Sequence, residues 1–392
     1  MKYNFDEIID RSNTDSTKYD SSRVYNPYLP DDYISMTVAD MDFPCAQPIL
    51  DAMHARLNRR ILGYANYPDT MSQTYYDAIC GWLKRRHNIE TTRDHISFSA
   101  SVIGTCREAI NSMSKDGDGV MIHVPCYPYI HNPIAEFDRK TVRLPLKWDQ
   151  NYRFYMDFDE LEREASKEEN TLLILCSPHN PSGRVWTEEE LRTLAEICFR
   201  NNVKIFVDEI HNDLIRKDVK MISLAELYPG DPRIVTAMSI AKSFNCAGNQ
   251  HSYSVVFDPE LKAKFDDSRY GGSPNPLSST AIIAAYNEGE DWLNQVNAYL
   301  DDNLDYLETF LEENMPRVGF RKPEGTYLAW IDLRAYGMTD DELYRTVSSA
   351  GLSLEYASDF VANASGFARI NTACPRSVLA KACQMLKNAL EG

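Results

Sequence analysis

The sequence predicts an α/β protein: a large domain built on a mostly parallel sheet covered by helices on both faces, followed by a smaller α+β domain. Three observations lead there. Short, continuously apolar runs alternate with amphipathic helical segments through the middle of the chain, which is how strands buried on both faces read. Those runs end abruptly at Pro, Ser or Asp. After about Tyr286 the texture changes to one long acidic helix and then a mixture of strands and helices. With 392 residues, 43% hydrophobic and 25% charged, the chain is long enough to bury a large core.

The elements follow in order. The first forty residues, rich in Asp, Ser, Asn and Tyr, read as an irregular arm. Ile49, Leu50, Met53 and Leu57 share one helical face. Thr74 to His87 is a second helix, and Ile103, Cys106, Ile110 and Met113 mark a third, directly after Ser99-Ala-Ser101. Strands are predicted at Gly119–Val124, Leu172–Cys176, Val203–Val207, Ile234–Met238 and Tyr253–Phe257. Between them, Thr187 to Arg200 is a helix opened by a capping box, since Thr187 and Glu190 can each satisfy a free backbone N–H. Trp292 to Glu313 is the long acidic helix. A strand at Thr326–Asp332, a helix capped by Thr339 and Glu342, a strand near Gly366–Asn371 and a last helix from Ser377 complete the chain. The expected division is an arm over 1–45 that joins the small domain, a large domain over 46–286 and a small domain over 287–392.

The formal net charge of −17 argues against nucleic acid, because an acidic surface repels phosphate backbones. The one short basic cluster, Lys84, Arg85, Arg86 and His87, reads as a solvated helix end. The start is polar and acidic, unlike a signal peptide, and no apolar run approaches the roughly 20 residues that span a bilayer. Nine scattered cysteines without a C-x-x-C pair read as reduced thiols, so a cytoplasmic protein with neither disulfides nor a zinc site is expected.

In open α/β sheets, ligands bind beyond the C-terminal ends of the strands. Four predicted strand ends supply Tyr127, Asn180, Asp208 and Lys242. Taken singly, each has a plainer reading: a packing aromatic, a turn, a cap and a surface charge. Together they suit pyridoxal 5'-phosphate. The lysine amine can bond the aldehyde, the carboxylate can keep the pyridine nitrogen protonated, the aromatic ring can stack and the amide can hold the ring hydroxyl. The phosphate needs N–H donors and hydroxyls at a helix N-terminus, and Ser101, Val102, Ile103 and Ser239 are the candidates.

At these residues the sequence resembles the fold-type I pyridoxal phosphate enzymes of the class I/II aminotransferase-like family. Within it, the chain looks most similar to the MalY/PatB-type cystathionine β-lyase (C–S lyase) subfamily. The resemblance runs through Tyr3-Asn-Phe-Asp-Glu-Ile-Ile-Asp-Arg11, Val38-Ala-Asp-Met-Asp-Phe43, Gly63-Tyr64, Trp82-Leu-Lys-Arg-Arg-His87, Ser177-Pro-His-Asn-Pro181, Gly183-Arg-Val-Trp186, Asp208-Glu-Ile-His211, Lys242-Ser-Phe-Asn-Cys-Ala-Gly248 and Arg369-Ile-Asn-Thr-Ala-Cys-Pro-Arg376. It implies a seven-stranded, mostly parallel sheet in the large domain. It also implies that Lys242 bonds the cofactor and shuttles the substrate proton. Asp208 would pair with the pyridine nitrogen, Asn180 and His211 with the ring oxygen, and Tyr127 with the ring face. Val102 and Ile103 would give backbone N–H groups to the phosphate. Tyr64, a catalytic position alongside Lys242, would reach the phosphate of a neighbouring subunit, which makes the protein a homodimer with shared active sites. Arg369 would clamp the α-carboxylate of an amino-acid substrate, with Val38, Ala39, Asp40 and Asn180 lining the substrate side.

Three positions depart from the family pattern. Ala241 stands where Ser often precedes the lysine, Asn249 where Leu usually follows Ala-Gly, and Tyr356-Ala-Ser-Asp-Phe-Val361 where Pro-Gly-x-x-Phe-Gly is usual. The expected activity is α,β-elimination from cystathionine or related S-substituted cysteines to pyruvate, ammonia and a thiol. The alternative is an aminotransferase for a hydrophobic or aromatic amino acid. A cofactor-binding regulator ranks below both, because regulators of this fold commonly carry a basic DNA-binding segment and none precedes Tyr3.

Overall fold

The computed structural model describes residues 1–63, 72–268 and 273–392. Its main sheet has seven strands: β1 (Ile96–Ser99), β2 (Gly119–Val124), β3 (Lys140–Pro145), β4 (Asn170–Cys176), β5 (Lys204–Asp208), β6 (Ile234–Met238) and β7 (Ser252–Val256). Their order across the sheet is β1-β7-β6-β5-β4-β2-β3. Strands β3, β2, β4, β5 and β6 are parallel neighbours, and β7 runs antiparallel to both β1 and β6. The predicted apolar runs form strands within two residues of their expected bounds. Strands β1 and β3 escape the sequence pattern because they are the two sheet edges. β3, Lys-Thr-Val-Arg-Leu-Pro, keeps one fully buried side chain, so it never reads as a continuous apolar run.

Alternation along the central strands builds two cores, as successive side chains point to opposite faces. Leu173, Leu175, Ile205 and Val207 meet Leu191, Leu194 and Ile197 of the helix Glu188–Arg200. Leu172, Ile174, Phe206 and Val235 meet Cys106, Ile110 and Met113 of the helix Val102–Met113. The first capping box is present in both directions: the Glu190 N–H donates to the Thr187 hydroxyl at 3.2 Å, and the Thr187 N–H to the Glu190 carboxylate at 2.8 Å. Register aligns the strand ends, with Cys176 opposite Asp208 and Asp208 opposite Ala237. The loops that follow therefore leave from one edge.

A second, antiparallel sheet contains β8 (Gly319–Phe320), β9 (Leu328–Asp332), β10 (Glu355–Tyr356) and β11 (Phe367–Asn371), in the order β8-β9-β11-β10. The long helix Glu290–Asn314 and the final helix Arg376–Glu391 pack beside it through Leu304, Leu307, Leu311, Leu379 and Leu386. The arm returns to this region, where Ile34–Ser35 pairs in parallel with Leu352–Ser353. The helix Gln47–Leu57 is formed as predicted, but its expected apolar face is only partly covered. Ile49 is buried, whereas Leu57 and the following Ile61 and Leu62 are exposed. No helix among the described residues is long and apolar enough to cross a membrane.

Candidate active site

A cavity of about 760 Å³ opens where β2, β4, β5 and β6 end and the arm and β11 come across. Asp208 is the last residue of β5 and is buried; one carboxylate oxygen accepts the Ile210 N–H at 3.1 Å. Burial pushes its carboxyl up to about 6, with the Lys242 charge opposing. Lys242 lies on the one-turn helix Ile240–Ser243 that follows β6. Its Nζ donates to the Ala39 carbonyl at 2.6 Å. Burial, aided by the Arg369 charge, pulls this amine down to about 8 against the attraction of Asp40 and Asp208. An acid and an amine thus share one enclosed space, each shifted toward its neutral form by desolvation.

His211 is buried on the loop after β5, its Nδ1 without a hydrogen-bond partner among the described residues and its ring edge-on to Tyr327 at 6.1 Å. Burial and the Lys242 and Arg369 charges hold it well below the ordinary imidazole range. The loop carrying Asn180 folds back through Gly183, which sits at φ +68°. A Cβ there would stand 2.3 Å from Pro323, so glycine is required. Asn180 Oδ1 accepts from Arg369 Nη1 at 2.7 Å. Tyr127 precedes the helix Pro128–Glu136 and lines the cavity, its ring 5.0 Å from that of Tyr129.

Ser101 caps the helix Val102–Met113, its hydroxyl accepting the Gly104 N–H at 3.0 Å. Val102 and Ile103, as the first two helical residues, have N–H groups that no preceding turn can accept, and both line the cavity. Ser239 also lines it, but its hydroxyl is doubly engaged. It accepts the Ala241 N–H at 3.0 Å and donates to the His251 carbonyl.

The arm closes the substrate side. Val38 takes φ +49°, a strained setting for a β-branched residue. Asn371 holds that turn, donating from one amide to the Val38 and Asp40 carbonyls, each at 2.7 Å. Val38 and Ala39 face the cavity. Asp40 does not: Arg11 forks its carboxylate at 2.6 and 3.1 Å. Arg369 on β11 is 2% exposed, and burial lowers its guanidinium to about 10. Tyr64 lies outside the described residues.

The structure brings Ser101, Val102, Ile103, Tyr127, Asn180, Asp208, His211, Ser239, Lys242 and Arg369 around one cavity. Sequence reasoning missed Glu355, Tyr327, Asn371 and Arg11. Glu355 pairs with Arg369, and the Tyr327 hydroxyl donates to the Ala39 carbonyl at 2.8 Å. The nearness of Glu355 to the departing loop 356–361 does not by itself place it against Arg369, which depends on strand pairing.

The fold and the acid–amine cavity at its strand ends define a member of the class I and II aminotransferase family, to which the chain belongs by a family match over residues 31–386. Within that family it is 35% identical to cystathionine beta-lyase PatB of Bacillus subtilis, over 99% of this chain and all of that protein. It is 31% identical to protein MalY of Escherichia coli, over 99% of each. Among solved structures it resembles the PLP-bound C-S lyase of Staphylococcus hominis, with TM-score 0.93 and 37% identity, covering 100% of this chain and 99% of that one. The subfamily resemblance read from the motifs therefore extends over the full length.

Proposed function

We propose that this chain is a pyridoxal phosphate-dependent C–S β-lyase that cleaves cystathionine or related S-substituted cysteines to pyruvate, ammonia and a thiol. The observation that carries the reading is the juxtaposition of buried Asp208 and buried Lys242 at neighbouring strand ends, in one cavity with Arg369. These residues fit the cofactor. Among the described residues the Asp208 carboxylate accepts one hydrogen bond and the Nδ1 of His211 lacks a partner, and Val102 and Ile103, which open the helix Val102–Met113, line the same space.

When bound, the cofactor supplies an electron-withdrawing ring that accepts the electron pair left on the substrate Cα. Lys242 is the residue that would hold it, through its amine. That amine, brought down to about 8 by burial, would also be placed to take the Cα proton of the substrate. Asp208 would keep the ring nitrogen protonated. Asn180 and His211 would hold the ring oxygen, and Tyr127 would cover the ring face. Ser101, Val102 and Ile103 would hold the phosphate. Ser239 contributes by fixing the Lys242 turn through its cap on Ala241. Arg369 and Asn180 bind the α-carboxylate, and the Val38–Ala39 turn closes over the substrate. Elimination would break the Cβ–S bond with its electron pair going to sulfur, which takes up a proton, and water would release the remaining three-carbon unit as pyruvate and ammonia.

The same reading includes a homodimer in which Tyr64 of each chain reaches the other's phosphate, and the division at 45/46 and 286/287 into arm, large and small domains. Nine free cysteines suit a reducing cytoplasm. The test is a product assay on holoenzyme. Pyruvate release from cystathionine without any keto acid is the expected result. Conversion of 2-oxoglutarate to glutamate with no pyruvate would establish the aminotransferase alternative instead.

A further inference from the structure

We propose that Glu355 sets the side-chain specificity of this cavity, favouring amino acids with a cationic distal end over those with a second carboxylate. The inference deepens the lyase reading and rests on it for Arg369 as the partner of the α-carboxylate.

Glu355 and Arg369 stand directly opposite each other in the register of β10 and β11. Directly opposed residues of an antiparallel pair project from the same face, so the ion pair is built into the sheet. Arg369 Nη1 donates to Asn180, and its Nη2 is paired with the Glu355 carboxylate. The other Glu355 oxygen accepts the Val38 N–H at 3.3 Å. One carboxylate therefore touches both the substrate arginine and the substrate turn, while lining the cavity itself.

The balance of charge on the wall then decides what can bind. Lys242 and Asp208 serve the cofactor position. Among the described residues, the charged side chains left on the lining are Arg369, Glu355 and Asp359. An α-carboxylate arriving at Arg369 uses the one cation. A second carboxylate on the substrate would meet two acids in a partly desolvated space, where like charges repel more strongly than in water. A distal ammonium would instead replace the share of Arg369 that Glu355 gives up to the α-carboxylate. Asp359 adds to this field but is anchored by its own backbone, accepting the Tyr356 N–H at 2.8 Å. Glu355 is the acid that contacts the α-carboxylate's partner, and so the one that senses whether a substrate is bound. The favoured substrate class is an S-substituted cysteine whose substituent carries an ammonium and no carboxylate; cystathionine, whose distal end carries both, falls between the two extremes.

The experiment compares wild-type and Glu355→Gln holoenzymes on three conjugates: S-(2-aminoethyl)-, S-propyl- and S-carboxymethyl-L-cysteine. In the wild type, kcat/KM for pyruvate release should favour the aminoethyl over the carboxymethyl conjugate by about tenfold or more, equivalent to about 1.4 kcal/mol. Glu355→Gln should shrink that ratio at least about fivefold while changing the neutral conjugate less than about threefold. An unchanged ratio overturns the proposal. So does an equal loss on all three conjugates, which would assign Glu355 to holding Arg369 in place. Binding of L-ornithine and L-glutamate, read from the visible band of the holoenzymes, separates this from the lyase reading, since neither has a β-leaving group. An ornithine preference that Glu355→Gln removes, with no pyruvate from any conjugate, sinks the elimination reading and keeps the specificity assignment. Elimination without charge preference does the reverse.

Discussion

Lys242 has its chemistry from position. A solvated lysine amine is protonated at neutral pH, whereas burial and the Arg369 charge bring this one from 10.5 to about 8. Only the neutral amine is a nucleophile, so its reactive fraction rises as pH rises through that value and levels off above it. Cofactor-free protein should therefore couple with pyridoxal phosphate at a rate that climbs about a midpoint near pH 8 and levels off above it, followed by the visible absorbance of the product. A climb centred near 10.5 would mean an exposed amine. Lys242→Ala should give no coupling at any pH. This lysine was legible because it follows a strand, as were Asp208, Asn180 and Tyr127. Glu355 and Asn371 were not, for a different physical reason. They reach the site through the pairing of β10 with β11 and the contact of β11 with the arm. Register and long-range docking leave no local mark in a sequence. Arg11 and Asp40 form a similar case, 29 positions apart.

At the level of elements, two helix caps allow stability to be separated from cofactor binding. Ser101 and Thr187 each accept a backbone N–H at the start of a long helix, from Gly104 and Glu190 respectively. Ser101 opens onto the cavity, and Thr187 does not line it. Replacing either by Ala should cost roughly 0.5–2 kcal/mol of stability, seen as a similar drop in Tm of the cofactor-free proteins. Only Ser101→Ala should also weaken retention of pyridoxal phosphate, measured by dialysis, because the helix start that faces the phosphate loses its anchor. Equal cofactor retention in the two variants would remove Ser101 from the phosphate site. The same contrast explains what the sequence revealed of the elements. Both capping boxes and the buried strands were readable from spacing and apolar runs. The antiparallel run of β7 was not, since a buried strand looks alike in either direction, and the edge strands carry too much polar sequence to stand out.

At the scale of the molecule, the proposed dimer makes a prediction that a single chain does not. Leu57, Ile61 and Leu62 are 43%, 71% and 56% exposed, and they lie just before the segment that contains Tyr64. Exposed apolar side chains close together in sequence suit a surface that a second copy covers, and the proposed dimer would share Tyr64 between its subunits. If each active site combines Lys242 of one chain with Tyr64 of the other, two inactive variants can rescue one another. Lys242→Ala and Tyr64→Ala should each be nearly inactive as pure proteins. A Lys242→Ala chain paired with a Tyr64→Ala chain contains one site with both defects and one with neither. Unfolded together in equal amounts and refolded, they should regain about a quarter of wild-type activity, because half the dimers are mixed and half their sites intact. Sites formed within single chains would show no recovery, since every site would then carry one of the two defects. The mixing experiment therefore reads the sharing of the active site directly, through catalysis.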